Sequence, residues 1–154
     1  MTFSLNHTAR SLADYLAPIL PGVNFYEGPN QQGSETPCMF LQQRYGRIKK
    51  QPAGRWLRTI GLDLTYLEDY NLPHLQALYE AAAERLDQVM EAFPYSDGAE
   101  ATLLRTYDRE WNIDKDALHY KFELKVWAEL PENGAKMQTL ILNQEVVNGQ
   151  KIQP

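Results

Sequence analysis

Between positions 118 and 130 the chain alternates strictly. Leu118, Tyr120, Phe122, Leu124, Val126, Ala128 and Leu130 fall on one side, and His119, Lys121, Glu123, Lys125, Trp127 and Glu129 on the other. Successive side chains of a strand point to opposite faces, so this pattern predicts a long strand in a sheet with one buried face. Trp127 is the exception, a large aromatic on the polar side. Either a helix or a neighbour covers it, and the helix is the expected one.

Two helical patterns supply the layer that such a sheet needs. Leu5, Ala9, Leu12, Leu16 and Leu20, with Tyr15 and Ile19 beside them, predict a first amphipathic helix that ends near Pro18 or before Pro21. Asn71 and Pro73 mark the start of a second, with Leu72, Leu75, Leu78, Tyr79, Ala82, Leu86, Val89, Met90 and Phe93 in one stripe and a stop at Pro94. Val23–Tyr26 reads as a short strand and 28–34 as a loop. Pro37 biases Thr36 to extended backbone and so favours a strand from Cys38.

Residues 38–45 and 56–67 make two strands joined by a loop containing Pro52 and Gly54. In the second, Trp56, Ile60, Leu62, Leu64 and Tyr66 share a face that Arg58 interrupts. Residues 103–113 read as a further strand. Pro131–Gly134 turns the chain into a last one at about 137–147. The order helix, three strands, helix, three strands predicts an α+β fold. It is a mainly antiparallel or mixed sheet, with two principal helices packed on one face and an extended β-hairpin. The whole chain, 1–154, is expected to be one domain with a core over about 5–147 and a flexible end at 148–154.

Bulk composition narrows the function classes. No apolar run approaches the length of a membrane span, and the first residues lack the basic start and apolar block of a leader. One cysteine excludes an intrachain disulfide and suits a reducing cytosol. A net charge of −5 argues against a general nucleic-acid binder.

A search for chemistry finds little. Cys38 sits in a strand with no helix start or glycine elbow to activate it, the setting of a structural thiol. His7, His74 and His119 belong to no metal-binding pattern, and the glycines form no phosphate loop. His119, three residues after Asp116, reads as a strand histidine held by a helix or by the preceding turn. Asp108, Glu110, Asp114 and Asp116 are interspersed with Arg105, Arg109 and Lys115, as in solvated cross-strand pairs. No cofactor, metal or catalytic residue is expected.

Charge is distributed unevenly. Residues 36–62 hold six of the fifteen Lys and Arg residues and no acidic one, leaving nine basic against twenty acidic residues elsewhere. Basic side chains on a hairpin edge protect it from unwanted strand pairing. They also suit an interface, because Arg44, Tyr45, Arg47, Arg55 and Trp56 are of interface-enriched types. The candidate interface is Arg44, Tyr45, Arg47, Lys49, Lys50, Arg55, Trp56 and Arg58.

Several segments, in this order, resemble the tail terminator proteins of long-tailed bacteriophages, in the group frequent among prophages of Gram-positive bacteria. They are Phe25-Tyr26-Glu27, Gly33, Pro37–Leu41, the Arg/Tyr-rich hairpin into Gly61–Tyr66, the helix from Leu72 to Phe93, Asp116–Phe122, and a terminal strand with Met137 and Leu140. The resemblance implies a structural virion protein without an active site, assembled in the host cytoplasm. It would form a ring of six subunits at the head-proximal end of the tail tube. Its expected partners are other copies of itself, the tube protein and the head–tail connector. Genome DNA passes through the lumen without specific binding, and no membrane is involved. A closed ring needs two different, complementary patches per subunit. The basic arm would meet acidic residues at 108–116, or Glu80, Glu84, Asp87 and Glu91 of the second helix. The alternatives are another head–tail joining protein, or a ligand-binding or enzymatic domain built from His119, Asp116 and Cys38.

Overall fold

A computed structural model describes residues 3–27, 35–114 and 116–128. The expected strand at 137–147, the loop at 28–34 and the flexible end at 148–154 fall wholly or almost wholly outside these residues. The elements in chain order are α1 (Leu5–Leu16), β1 (Asn24–Tyr26), β2 (Cys38–Lys50), β3 (Trp56–Leu67), α2 (Leu75–Val89), β4 (Ala92–Ser96), β5 (Ala101–Asp114) and β6 (Ala117–Ala128). The six strands form one sheet in the order β1-β2-β3-β6-β5-β4. β1 runs parallel to β2, and every other pairing is antiparallel. The mixed α+β architecture is the one the sequence predicts.

Both helices pack on the same face. Leu12 and Leu16 of α1 and Tyr79, Ala83 and Leu86 of α2 share one buried cluster with Met39, Leu41, Leu62, Leu64, Leu118, Tyr120 and Phe122. Buried tyrosines anchor the layers through their hydroxyls, which need partners once out of water. Tyr79 of α2 accepts from the Glu68 backbone N–H at 2.9 Å and donates to the Asp116 carbonyl at 2.6 Å. Tyr120 of β6 donates to Asp87 Oδ1 of α2 at 2.6 Å. Tyr95 of β4 accepts from the Ser4 N–H at the start of α1, and Tyr15 of α1 donates to the Val89 carbonyl at the end of α2.

The second helix is shorter than its stripe suggests. Asn71 is not its cap: Asp69 accepts from the Asn71 and Leu72 backbone N–H groups, making residues 69–72 a turn. The helix begins after His74, whose backbone is left-handed at φ 60°. It ends at Val89, where the Thr106 hydroxyl donates to the Met90 carbonyl. Phe93 and Pro94 therefore belong to β4. There Phe93 and Tyr95 point inward and Pro94 outward. Proline is tolerated because β4 is an edge strand. Leu72 and Leu78, assigned to the buried stripe, are exposed.

β2 and β3 form a long hairpin. Its tip carries Ala53 and Gly54 in left-handed backbone, φ 68° and 73°, and is closed by a hydrogen bond from Gln51 N to Arg55 O. This hairpin is not a free arm, since β6 pairs with β3 along its length, from Tyr66↔Leu118 to Trp56↔Ala128. β1 pairs only with Cys38–Phe40. Among the described residues, positions 41–50 of β2 thus border the sheet as an edge. Two bulges interrupt the ladder, between Gln43 and Tyr45 in β2 and between Tyr107 and Glu110 in β5. Asp108, in the second, has φ 50°.

Candidate interaction surface

The bulges flank one row of the sheet. Tyr45 lies opposite Gly61, Gly61 opposite Glu123, and Glu123 opposite Tyr107. Cross-strand partners project to the same side, so this row lies on the face away from the helices. Gly61 is needed here: a Cβ on it would meet three carbons of the Tyr45 ring at 2.3–2.7 Å. With glycine beneath, the ring crosses the strand and its hydroxyl donates to the Glu123 carboxylate. Arg47 Nη2 also reaches Glu123 Oε2, at 3.1 Å. The Tyr45 donor, helped by the Arg47 cation and opposed by burial, holds the Glu123 carboxyl below its ordinary value. Its pairing is what allows a carboxylate to sit buried at the centre of a sheet.

The aromatic groups around this row carry cations. The Arg44 and Arg47 guanidinium carbons lie 5.1 and 4.8 Å from the Tyr45 ring centroid. Lys125 Nζ stands 4.6 Å from the centre of Tyr107, and Arg55 stacks 4.3 Å from that of Trp127. Trp127 is thus covered by an arginine from the hairpin tip instead of a helix, and it stays 56% exposed. On the other side of the hairpin, Lys50 lies 5.9 Å from the Trp56 ring. Ile48 and Arg58 there line a groove of about 430 Å³ with Phe3, Gln43 and Ile60.

All eight predicted interface residues therefore occupy one end of the sheet, on both its faces. By register, Tyr45, Arg47 and Lys49 lie on the helix-free face and Lys50, Trp56 and Arg58 on the helix face. Arg44 sits in the bulge, and Arg55 reaches over Trp127. Glu123, Lys125 and Tyr107 complete the cluster. The alternation of β6 places Glu123 and Lys125 on a polar face. Only the register brings them beside Tyr45 and Arg47.

The proposed trio of Cys38, Asp116 and His119 is not assembled. His119 Nδ1 lies 2.8 Å from Asp63 Oδ2 and donates to that carboxylate, not to Asp116. Asp63 also accepts from Thr65, which in turn accepts from Gln42. Cys38 is buried on β2, two strands from His119, and burial pushes its thiol pKa up. Among the described residues, no three His, Cys, Asp or Glu side chains gather as a metal site. No helix there is long and apolar enough to cross a membrane.

The sequence model of one protein family, described as phage tail terminator protein, matches residues 9–135. The matched span runs from within α1 to beyond the end of β6 and includes every residue of the basic cluster. No curated protein matches the chain.

Proposed function

The chain belongs to the phage tail terminator family, and on that premise we propose that it closes into a ring, a hexamer, at the head-proximal end of the tail tube. The family is structural and its place is the phage tail. In this reading the ring caps the growing tube, arrests its polymerisation and presents the surface to which the head connector binds. It is made in the host cytoplasm and retained in the virion. Its partners are further copies of itself, the tube protein and the connector, and DNA passes through without specific contacts.

The observation that carries this reading is the family match across nearly all of the described fold. The charge distribution supports it. Arg44, Tyr45, Arg47, Lys49, Lys50, Arg55, Trp56 and Arg58 are gathered at one end of an otherwise acidic molecule, as a heterologous contact requires. A protein contact suits them better than DNA, because each phosphate neutralised would add affinity and retard passage through the lumen.

The test is the mass of the purified protein by light scattering over a concentration series, with electron microscopy of the product. A closed oligomer near six subunits that stops tube growth when added to polymerising tube protein is the expected result. A species that neither closes nor arrests tube growth would overturn the reading.

A further inference from the structure

Among the described residues seven large apolar side chains are exposed, and six of them fall at two ends of opposite electrostatic character. Tyr107 and Trp127 lie on the helix-free face of the basic half of the sheet, among Arg47, Lys49, Arg55 and Lys125, and Ile48 lies at the same end on the opposite face. Tyr70, Leu72 and Leu78 belong to the other end, where β3 finishes, β6 starts and α2 begins. Tyr70 is the most exposed, at 73%. This second group is bordered by Glu68, Asp69 and Asp116, and the run 59–84 contains five carboxylates and no Lys or Arg. The seventh, Leu103, lies apart on the β4–β5 hairpin.

Register fixes the separation of the two ends. Trp56 pairs with Ala128 at the basic end and Tyr66 with Leu118 at the acidic end. Ten residue steps of strand span about 33 Å. The molecule thus carries two apolar patches, one with a positive border and one with a negative border, at opposite ends of its long strands. Exposed apolar side chains with charged rims mark contact surfaces, and opposite rims attract each other while like rims repel.

We propose that the patch of Tyr70, Leu72 and Leu78 on one copy seats against the basic hairpin end of the next, Trp127 and Tyr107 with Arg47, Lys49, Arg55 and Lys125. The proposal rests on the ring reading and supplies its second surface. It also chooses among the acidic partners the sequence suggests. Asp87 on α2 is engaged by Tyr120, and Glu91, between α2 and β4, by Arg105, so the contact centres on the turn before the helix. Two different patches at opposite ends produce head-to-tail contacts that a rotation can close, and they disfavour a twofold dimer.

Two variants on exposed positions test this. Lys49→Glu with Arg55→Glu disables the basic end, and Leu72→Lys with Leu78→Lys disables the acidic end. Each alone should remain monomeric, its assembly constant weakened on the order of 100-fold or more. Mixed one to one, they retain a single good interface between them and should give a dimer and nothing larger. Circular dichroism and the urea midpoint verify that each is folded. If the wild type assembles while either variant alone does so equally well, or while the mixture stays monomeric, the pairing is wrong and the ring reading survives. If the wild type stays monomeric, the self-assembling ring fails on its own evidence. The pairing is then read by a short bis-maleimide acting on mixed Tyr70→Cys and Lys49→Cys proteins. Cross-linked heterodimer supports it, and no product above that of each protein alone overturns it.

Discussion

Replacing Gly61 by alanine adds one methyl group, and the structure states where it goes. Gly61 does not have positive φ, so alanine fits its backbone, and in a strand interior it would ordinarily stabilise by about 0.5–1 kcal/mol. Here the methyl would lie 2.3–2.7 Å from three ring carbons of Tyr45. The ring must leave, which breaks its hydrogen bond to Glu123 and unstacks Arg44 and Arg47. Overpacking of this kind costs about 1–3 kcal/mol, and a hydrogen bond to an ionised group about 1.5–3, less here because Tyr45 is half-buried. A net loss of about 2 kcal/mol is expected, or roughly 4–8 °C in Tm for a chain of this size. Urea unfolding followed by tryptophan fluorescence, at concentrations where the protein is monomeric, measures it. The decisive comparison is a double-mutant cycle. In a Tyr45→Ala background the same glycine change should be neutral or stabilising, giving a coupling of about 2–3 kcal/mol. An equal cost in both backgrounds would show that Tyr45 is not what requires the glycine.

Three further outcomes follow from described contacts. The folded-state pKa of Glu123 is lowered from 4.5, so its contribution is complete above that value and is lost as pH falls through the folded pKa; the stability difference between wild type and Glu123→Gln should be constant near neutrality and shrink in acid, and a difference that grows on acidification would contradict the assignment. Tyr79→Phe leaves the Glu68 N–H and the Asp116 carbonyl without their partner in a buried site and should cost about 2–3 kcal/mol by urea unfolding, whereas a cost below about 0.5 would mean that water replaces the hydroxyl. The buried Cys38 thiol, with its pKa raised, should resist a thiol reagent in the native protein and react fully once urea unfolds it, so that rapid native labelling would refute its burial.

Strand periodicity was the most legible signal in the sequence. β6 alternates because one face meets the helices, and its predicted span departs from the observed Ala117–Ala128 by little within the described residues. The helix ends were less so, because short apolar runs satisfy two periods at once. Phe93 continues the spacing of α2 yet also alternates with Tyr95, and Pro94, which looks like a helix stop, is the outward residue of an edge strand. Local charge at the hairpin was visible because the basic residues are close in sequence. Their partners were not: Glu123 is 78 residues from Tyr45, and Asp63 is 56 from His119. Those pairs depend on which strands lie side by side, and no local pattern encodes that. Trp127 invited the inference of a covering helix for the same reason, since the arginine over it arrives from another strand's turn.

The bulge at Arg44 sets the phase of the hairpin. Because one extra residue is spent between Gln43 and Tyr45, Tyr45, Arg47 and Lys49 emerge on the helix-free face and Gly46, Ile48 and Lys50 on the other. Smooth the bulge out with that residue retained, so that Arg44 takes the place opposite Gly61, and every side chain from 45 to 50 turns over: Tyr45 leaves Gly61 and the cations on the two faces trade places. The loss would be of handedness rather than of charge, with the composition of the hairpin almost unchanged. Insertions and deletions in this arm are therefore restricted as in a reading frame. Away from the bulge, residues can be gained or lost in pairs, but a single one inverts the message from that point to the tip.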